Sequence, residues 1–236
     1  MQQKTTSTTS PKQVRGEQAR QKLVSAGLEL FGDLGFEAAS TRDIAKNAGQ
    51  NIAAITYYFG NKEGLYIAAI EEGFKQCPQT NGEEREQLEA LLNDSSISKD
   101  YYLQAIKQWV RGAVMALAVE EKANLSFTKL MFREQFAPTH MFKKAYQTLI
   151  APMHEPFLRM VAAYLDEDPK QIRTTLTAHA LIGPYLGFRV AQQMVLLKTG
   201  WEKISSKEAE MIADIVEEHI EITLRGLRAK RSTHAS

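Results

Sequence analysis

The stretch 40–62 contains side chains that could bind phosphates and read the edges of bases. If residues 52–59 form a helix, its outward positions are small or hydrogen-bonding and carry no carboxylate: Ala53, Ala54, Thr56 and Tyr57. A helix that enters the major groove of DNA needs a slim face without negative charge. The pattern therefore favours contact with DNA. The alternative is an ordinary small helical domain, in which two short amphipathic helices can show the same pattern.

Two short helices joined by a glycine turn must position this face. Ser40, followed three residues later by Asp43, makes a capping box that predicts a helix over 41–48. Gly49 ends that helix, and Asn51 offers the cap of the next one. This arrangement is typical of a helix-turn-helix.

A helix on each side supports the two short ones. Apolar residues recur every three or four positions over 15–34, which predicts a helix with one buried stripe, ended by Gly35 and followed by Phe36. A fourth helix is predicted over 62–75, and its first turn contains Lys62. A phosphate docked at this end would be bound by free amides and the lysine, but a flexible, solvated lysine explains the residue equally well.

Composition indicates a soluble globular protein with a local basic region. The 236 residues are 44% hydrophobic, enough for a buried core, and the net charge is only +1. Eight basic and five acidic residues lie between Met1 and Lys62, so this part carries a net +3. One cysteine, Cys77, excludes a disulfide within the chain. With no signal peptide and no apolar run near 18 residues, we expect a cytoplasmic protein without a membrane partner.

The remaining chain also reads as helical, so the expected fold class is all-α. An acidic connection over 77–100, with a short helix over 83–92, precedes helices predicted over 101–119, 124–137, 139–165, 168–200 and 205–227. Pro152 and Pro156 are expected to break the third of these, and Asp168 with Pro169 to open the fourth. The predicted organisation is a disordered, passive arm over 1–14, a DNA-binding domain over 15–61, and a C-terminal domain over 62–236 for ligand binding and dimerisation.

The stretch 176–197 is apolar over most of a helical circumference. A helix that is apolar all round must be covered all round. We therefore expect a two-fold homodimer in which this helix and the last one pair with their symmetry mates, while a monomer with a thick core is the alternative. The predicted interface residues are Leu181, Tyr185, Phe188, Met194, Ile212, Ile215, His219 and Ile222.

Several ordered motifs together resemble a known family. They are ARxxLVxAGLELFxxxGF, STRDIAxxAG, an eight-residue helix that ends in YYF, and GNKEGLY, all between Glu17 and Phe74. This run is similar to the N-terminal DNA-binding domain of the TetR family of bacterial transcriptional repressors. FREQFAPT, HALIG and LLKTGW further resemble the CecR-type branch. The resemblance implies an Ω-shaped, all-helical homodimer with a ligand cavity in the C-terminal domain.

The family's DNA-contacting positions imply roles for individual residues of the stretch 41–62. Phosphate contacts are implied at Thr41, Tyr57, Tyr58 and Lys62, and contact with a base edge, such as that of guanine, at Arg42. Asn51 would cap the recognition helix, with Ile52, Ala53 and Ala54 at its leading edge. The chain departs from many relatives at Gln50 and Asn51, where a Val-Ser pair is common, and at Thr56, where tyrosine is common. Base readout is thereby left to Arg42, Thr56 and the alanine methyl groups.

The ligand cavity would draw on aromatic, thioether and a few polar side chains. The candidates are Trp109, Phe127, Met131, Arg133, Phe136, His179, Tyr185 and Phe188. Arg133 and His179 lie in runs matched to the CecR-type branch and could orient a ligand. A satisfied structural hydrogen bond is the other interpretation of each.

The expected function is that of a dimeric repressor that binds double-stranded DNA at a palindromic operator and is released by a small-molecule effector. A metal- or metabolite-sensing regulator with another release mechanism is the alternative. A helical enzyme is not favoured, because no HExxH motif, no i, i+4 histidine pair and no Gly-rich phosphate loop occurs. No cofactor is expected.

Overall fold

The computed structural model describes residues 11–75, 92, 96–118 and 122–232. Every regular element within these ranges is helical, which confirms the all-α fold class. The α-helices are α1 (Pro11–Leu34), α2 (Thr41–Asn47), α3 (Ala53–Phe59), α4 (Lys62–Lys75), α5 (Lys99–Met115), α6 (Lys122–Phe136), α7 (His140–Ala145), α8 (Ala151–Leu165), α9 (Ile172–Val190), α10 (Gln192–Thr199) and α11 (Ser206–Ser232). A 3₁₀ turn, Ala116–Ala118, follows α5, and a π-helical segment, Tyr146–Ile150, joins α7 to α8.

These helices form two compact units, and the chain passes between them three times. Helices α1 to α4 belong to the first unit together with α6 and α7, whereas α5 and α8 to α11 form the second. The first unit is therefore discontinuous in sequence. Of the predicted connection 77–100, only residues 92 and 96–100 fall within the described ranges. Of the predicted arm over 1–14, residues 1–10 lie outside them, and residues 11–14 belong to α1.

The first unit is built around α1, which packs along α6 and against α2 and α3. Glycines permit two of these approaches. A Cβ atom at Gly32 of α1 would lie 2.5 Å from the backbone oxygen of Ser126, and one at Gly73 of α4 would lie 2.1 Å from the ring of Phe127. A side chain at either position would overlap these atoms of α6. Glycine at both positions therefore allows α6 to lie directly on α1 and α4. Gly35, with φ of 86°, ends α1 as expected.

The second unit has its own apolar core between α5, α8, α9 and α11. Leu103, Ile106, Phe157, Val216 and Leu224 are each at most 1% exposed and belong to this core. Ion pairs tie its rim together, since Arg111 of α5 reaches three carboxylates of α11, with a separation of 2.5 Å to Asp214. These helices therefore form a unit with an interior of its own.

Several predicted helix boundaries are wrong. Helix α1 begins at Pro11 rather than Arg15, because proline has a helical φ and its missing N–H is not needed in the first turn. Pro156 lies buried inside α8 rather than breaking it, and the irregular segment comes earlier, at Tyr146–Ile150. Burial along α8 outweighs the one backbone hydrogen bond that Pro156 removes.

The helix predicted over 168–200 is also divided differently. Asp168 accepts from the backbone N–H of Lys170 in a turn, and the helix itself begins only at Ile172. The stretch then breaks at Ala191 into α9 and α10, after a segment containing Gly183 and Gly187 that has low helix propensity. Gly200, with φ of 73°, ends α10 as predicted.

Candidate nucleic-acid interface

Helix α2 starts with the predicted capping box. The Ser40 hydroxyl accepts from the backbone N–H of Asp43 at 3.1 Å and donates to the Asp43 carboxylate at 2.5 Å. Ile44, fully buried, anchors the helix in the core of the first unit. Thr41 is half-buried and Arg42 is exposed, so the arginine side chain is accessible from solvent. The Asp43 carboxylate is thus hydrogen-bonded at the amino end of its own helix.

Helix α3 is anchored by one residue and presents the others. Gly49 has φ of 63° in the turn, and the Asn51 side chain accepts from the backbone N–H of Ala53 at 2.9 Å. Ile55 is 2% exposed and holds α3 on the core. The remaining predicted contact residues of the turn and helix are exposed, except that three are half-buried: Gln50, Ala54 and Tyr58. Exposed on this surface are Asn51, Ile52, Ala53, Thr56 and Tyr57.

The surface of α3 has no negative charge of its own. No acidic residue occurs between Asp43 and Glu63, a stretch that includes the whole turn and helix. Tyr57 is 82% exposed, and its ring meets that of Tyr58 edge-on with the centroids 4.8 Å apart. Two hydroxyl groups are thus held on a neutral surface, where they can donate to phosphate oxygens.

The first turns of α1 lie beside the carboxyl end of α3. A Cβ atom at Gly16 would lie 3.4 Å from the Tyr58 hydroxyl. One turn later, the Arg20 guanidinium lies over the Phe59 ring, 5.5 Å from its centroid. Helix α1 therefore supports the carboxyl end of α3.

The junction between α3 and α4 is a close backbone contact that the sequence analysis missed. Gly60 has φ of 78°, and the Asn61 side chain accepts from the backbone N–H of Gly64 at 2.8 Å. A Cβ atom at Gly64 would lie 2.0 Å from the backbone oxygen of Phe59. Asn61 followed three residues later by Gly64 was the available signal, because an asparagine cap and a glycine together favour a tight corner.

Lys62 is half-buried and has two partners within the first unit. Its ammonium group donates to the backbone oxygen of Glu37 at 3.2 Å and lies over the Phe36 ring, 4.6 Å from the centroid. The lysine thus ties the start of α4 to the loop that leads into α2. A phosphate bound at this end would share the ammonium group with these two partners.

A buried hydrogen-bond network holds α4 on the corner between α6 and α7. Glu134 is 2% exposed and accepts from three donors: the Tyr66 hydroxyl, the Thr139 hydroxyl at 2.9 Å and the Thr139 backbone N–H at 2.8 Å. Burial, with the Glu134 hydrogen bond, raises the pKa of Tyr66. His140 adds a contact to Glu63, with nitrogen and oxygen 3.1 Å apart. Helix α4 is thereby held close to its amino end and at its middle.

The predicted ligand residues divide between the two units. Four of them belong to the first unit, where Phe127 packs edge-on against Phe74 and Met131 is half-buried. Arg133 donates to the backbone oxygen of Asp33 at 2.8 Å. This residue therefore makes a structural hydrogen bond, which was the alternative to orienting a ligand. Phe136 is 83% exposed.

The other four predicted ligand residues belong to the second unit. Trp109, Tyr185 and Phe188 are partly buried against the core of that unit, while His179 is exposed. His154, which was not among the predicted ligand residues, meets the Trp109 ring edge-on at 6.1 Å. Burial lowers the pKa of His154, and the neighbouring His179 acts in the same direction.

The predicted interface residues differ in exposure. Leu181 and Ile212 are 4% and 2% exposed, so they belong to the core of the second unit. Tyr185 and Phe188 are partly buried on it, whereas four are exposed: Met194, Ile215, His219 and Ile222. Further large apolar side chains are exposed on α9, α10 and α11, namely Ile172, Leu176, Val190, Leu197 and Met211. The second unit thus exposes more apolar surface than the sequence alone indicated.

Within the described ranges, no cluster of three or more histidine, cysteine, aspartate or glutamate side chains is placed to hold a metal ion. None of the helices in those ranges has both the length and the apolar character that crossing a bilayer requires.

Comparisons with known proteins agree with this geometry. Residues 23–69 match the family model "Bacterial regulatory proteins, tetR family", and residues 104–227 match the C-terminal domain of the HTH-type transcriptional dual regulator CecR. CecR of Shigella flexneri is 38% identical over 218 residues, which cover 91% of this chain and 95% of CecR. The transcriptional regulator RutR of Escherichia coli K12 is 37% identical over 65 residues, covering 27% of this chain and 31% of RutR.

A solved structure shows the same fold. NalD, the secondary repressor of the MexAB-OprM multidrug efflux pump in Pseudomonas aeruginosa, superposes with a TM-score of 0.55 at 22% identity, covering 86% of this chain and 95% of NalD. The helix-turn-helix geometry, the two family models and the similarity to CecR over nearly the full length point to one conclusion. The chain belongs to the TetR family of bacterial regulatory proteins, with a CecR-type C-terminal domain, and is a DNA-binding transcriptional regulator.

Proposed function

We propose that the chain acts as a homodimeric repressor in the cytoplasm, that it binds a palindromic operator, and that a small-molecule effector releases it. The observation that carries the DNA-binding role is the exposed, uncharged surface of α3, held by Ile55 on the core and flanked by Arg42. In a two-fold dimer, two copies of this surface would meet successive major grooves, about 34–36 Å apart or at a larger spacing.

The residues of this surface divide into two proposed roles. Arg42 and Thr56 read base edges, with Ala53 and Ala54 available for thymine methyl groups. Thr41, Tyr57, Tyr58 and Lys62 contact phosphates. Asn51 caps α3 after Gln50 of the turn, and Ile52, Ala53 and Ala54 form the leading edge of the helix. The exposure of Arg42, Thr56 and Tyr57 supports these roles.

Arg42→Ala and Tyr57→Phe separate the two roles. We expect Arg42→Ala to weaken operator binding by about 1–3 kcal/mol and to relax sequence preference, because a base contact is lost. Tyr57→Phe is expected to weaken binding about equally on operator and unrelated DNA, because its hydroxyl contacts only phosphate. The measurement is fluorescence anisotropy on duplexes selected from a random pool by the full-length chain, and on the promoter of its own gene.

Arg173→Ala is the matched control. The Arg173 side chain is 72% exposed and lies in the second unit. Its loss therefore removes one positive charge far along the chain from α3, the reading helix. Equal effects of Arg42→Ala and Arg173→Ala would contradict the base-reading role. Selection that enriches no sequence would refute the DNA-binding proposal itself.

Dimer formation is proposed through the exposed apolar surface of α10 and α11. Met194 is 61% exposed and Ile222 is 62% exposed. Several large apolar side chains exposed on neighbouring helices are typical of an interaction surface. We expect light scattering to give twice the chain mass for the wild type, and the single-chain mass for the variant Met194→Asp with Ile222→Asp. Lys170→Asp with Lys207→Asp, both exposed positions of the second unit, is the control. A wild-type mass of one chain would exclude the dimer.

The effector is proposed to bind the second unit. Trp109 contacts both His154 and Phe157, and His179 lies close enough to His154 to affect its titration. These aromatic and imidazole groups fit an apolar or amphipathic molecule with a hydrogen-bonding group. For release, the effector must bind the DNA-free arrangement more tightly than the DNA-bound one.

A further inference from the structure

A groove runs along the first unit beside the helix-turn-helix. Its volume is about 990 Å³, and it is open to solvent rather than enclosed. One wall is the face of α1 over residues 18–29. The opposite wall is formed by residues 47–49, at the end of α2, together with Ser126 of α6. The groove therefore belongs to a different unit from the aromatic cluster to which the effector is assigned.

Ser126 brings a buried hydroxyl group to this groove. The residue is 5% exposed, and its hydroxyl has no hydrogen-bond partner in the part of the chain that the structure describes. Most buried polar groups in proteins do have a partner, because leaving one unpaired costs stability. The Ser126 hydroxyl is thus a buried hydrogen-bonding position that the protein leaves available to a bound molecule.

The wall contributed by α1 carries one charge of each sign. Lys22 and Glu29 both line the groove and are seven residues apart, which places them on one face of the helix, about 10.5 Å apart along its axis. Lys22 is exposed and makes no ion pair with any described residue. A molecule with a carboxylate and an ammonium group at this separation would complement both side chains.

Amide groups and small residues make up much of the remaining lining. The primary amides belong to Gln18, Gln21 and Asn47. Each has the same kind of donor and acceptor as a peptide bond, so it can pair with one. Ala26 and Ala48 also line the groove, and a Cβ atom at Gly49 would meet nothing within 4 Å. These small residues leave room for a polypeptide backbone to lie close to the protein.

We propose that this groove binds a short zwitterionic peptide of about three residues, with its carboxylate at Lys22 and its ammonium group at Glu29. Three extended residues span about 10 Å, which matches the separation of the two charges along α1. The amide side chains and the Ser126 hydroxyl pair with the peptide backbone. This second ligand site goes beyond the proposed function, and it shares no residue with the proposed DNA contacts.

Calorimetric titration of the full-length chain with trialanine tests the match of charges. N-acetyl-trialanine amide is the control peptide, because it has the same backbone without charged ends. We expect trialanine to bind with a dissociation constant of about 1 mM or below, and about tenfold or more tightly than the blocked peptide. No binding of trialanine up to about 10 mM would overturn the proposal, and so would equal affinity for the two peptides.

Selective ¹⁵N labelling of glycine locates the bound peptide. Gly49 lines the groove, whereas Gly200 ends α10 in the second unit. Gly49→Asn and Gly200→Asn assign the two resonances, because asparagine tolerates the positive φ at both positions. Trialanine should shift the amide resonance of Gly49 and leave that of Gly200 in place. Binding without a shift at Gly49 would put the peptide elsewhere and overturn the proposed site.

Two double variants with the same net change of charge test the role of the charged pair. Lys22→Gln with Glu29→Gln should remove the preference for trialanine over the blocked peptide. Lys143→Gln with Glu71→Gln, at exposed positions of the first unit, should keep the wild-type preference. A groove variant that retains the wild-type ratio of the two affinities would contradict the proposal.

Two further features keep the test decisive. If the double variant melts below the wild type in circular dichroism, the single variant Lys22→Gln, at an exposed position, gives the same comparison. Its ratio of the two affinities should fall toward one, and an unchanged ratio would again contradict the proposal. None of these measurements uses DNA, so their outcome is independent of whether the chain binds an operator.

Discussion

Gly64→Ala is expected to weaken operator binding by about tenfold or more and to lower the free energy of unfolding by about 1–3 kcal/mol. The new methyl group would lie 2.0 Å from the backbone oxygen of Phe59, so α4 and the end of α3 must separate. Backbone atoms cannot rotate out of the way as a side chain can. The displacement therefore moves the tyrosines at the end of α3, and anisotropy with chemical denaturation measures both effects.

Gly226→Ala is the control for this substitution. Gly226 also lies in a helix, α11, but a Cβ atom there would meet nothing within 4 Å. Alanine favours the helix over glycine by about 1 kcal/mol, so this variant should be as stable as the wild type or slightly more stable. Operator affinity that is unchanged in Gly64→Ala would show that the corner between α3 and α4 does not set the position of the reading helix.

Glu134→Ala is expected to lower the free energy of unfolding by about 3 kcal/mol, because it leaves the buried Tyr66 hydroxyl and the Thr139 donors without their acceptor. Tyr66→Phe should cost about 1–3 kcal/mol, since Glu134 keeps both Thr139 hydrogen bonds. The two effects should not add in the double variant, because the two side chains share one hydrogen bond. Urea unfolding of all four proteins measures the coupling.

The Tyr66 phenol also predicts a loss of stability at high pH. Burial raises its pKa in the folded state, so the folded form keeps its proton while the unfolded form loses it near pH 10. This contribution is complete below about pH 10 and falls as the pH rises above that value. Tyr66→Phe should make the unfolding free energy less dependent on pH in this range. Tyr146→Phe, at a tyrosine that is 49% exposed, should keep the wild-type dependence, and an equal effect would contradict the assignment.

Local signals predicted the reading helix and its cap, because the interactions that define them are close in sequence. Ser40 and Asp43 are three residues apart, and Gly49 and Asn51 lie in the turn that they shape. The exposure of Tyr57 also follows from helical periodicity alone. For this part of the molecule, the sequence predicted both helices to within one residue and most of the outward face, although Ala54 is half-buried.

Interactions between distant residues could not be predicted in this way. Tyr66 and Glu134 are 68 residues apart, and nothing in either neighbourhood indicates that they meet. The same holds for Pro156, whose place inside α8 depends on burial against other helices. Periodicity gave the apolar positions of α9 and α10 but did not distinguish Leu181 of α9, which is buried in its own unit, from Met194 of α10, which is exposed.

The three passages of the chain between the units limit how this regulator can be recombined. Helices α6 and α7 belong to the first unit, although they lie more than forty residues after α4 along the chain. A chimera that transplants only residues 1–61 would leave behind Phe127 and Glu134, and a graft of residues 1–75 would leave Gly73 and Tyr66 without the partners that cover them. The smallest portable reading module of this protein is therefore assembled from two separate segments of its gene, 11–75 and 122–145.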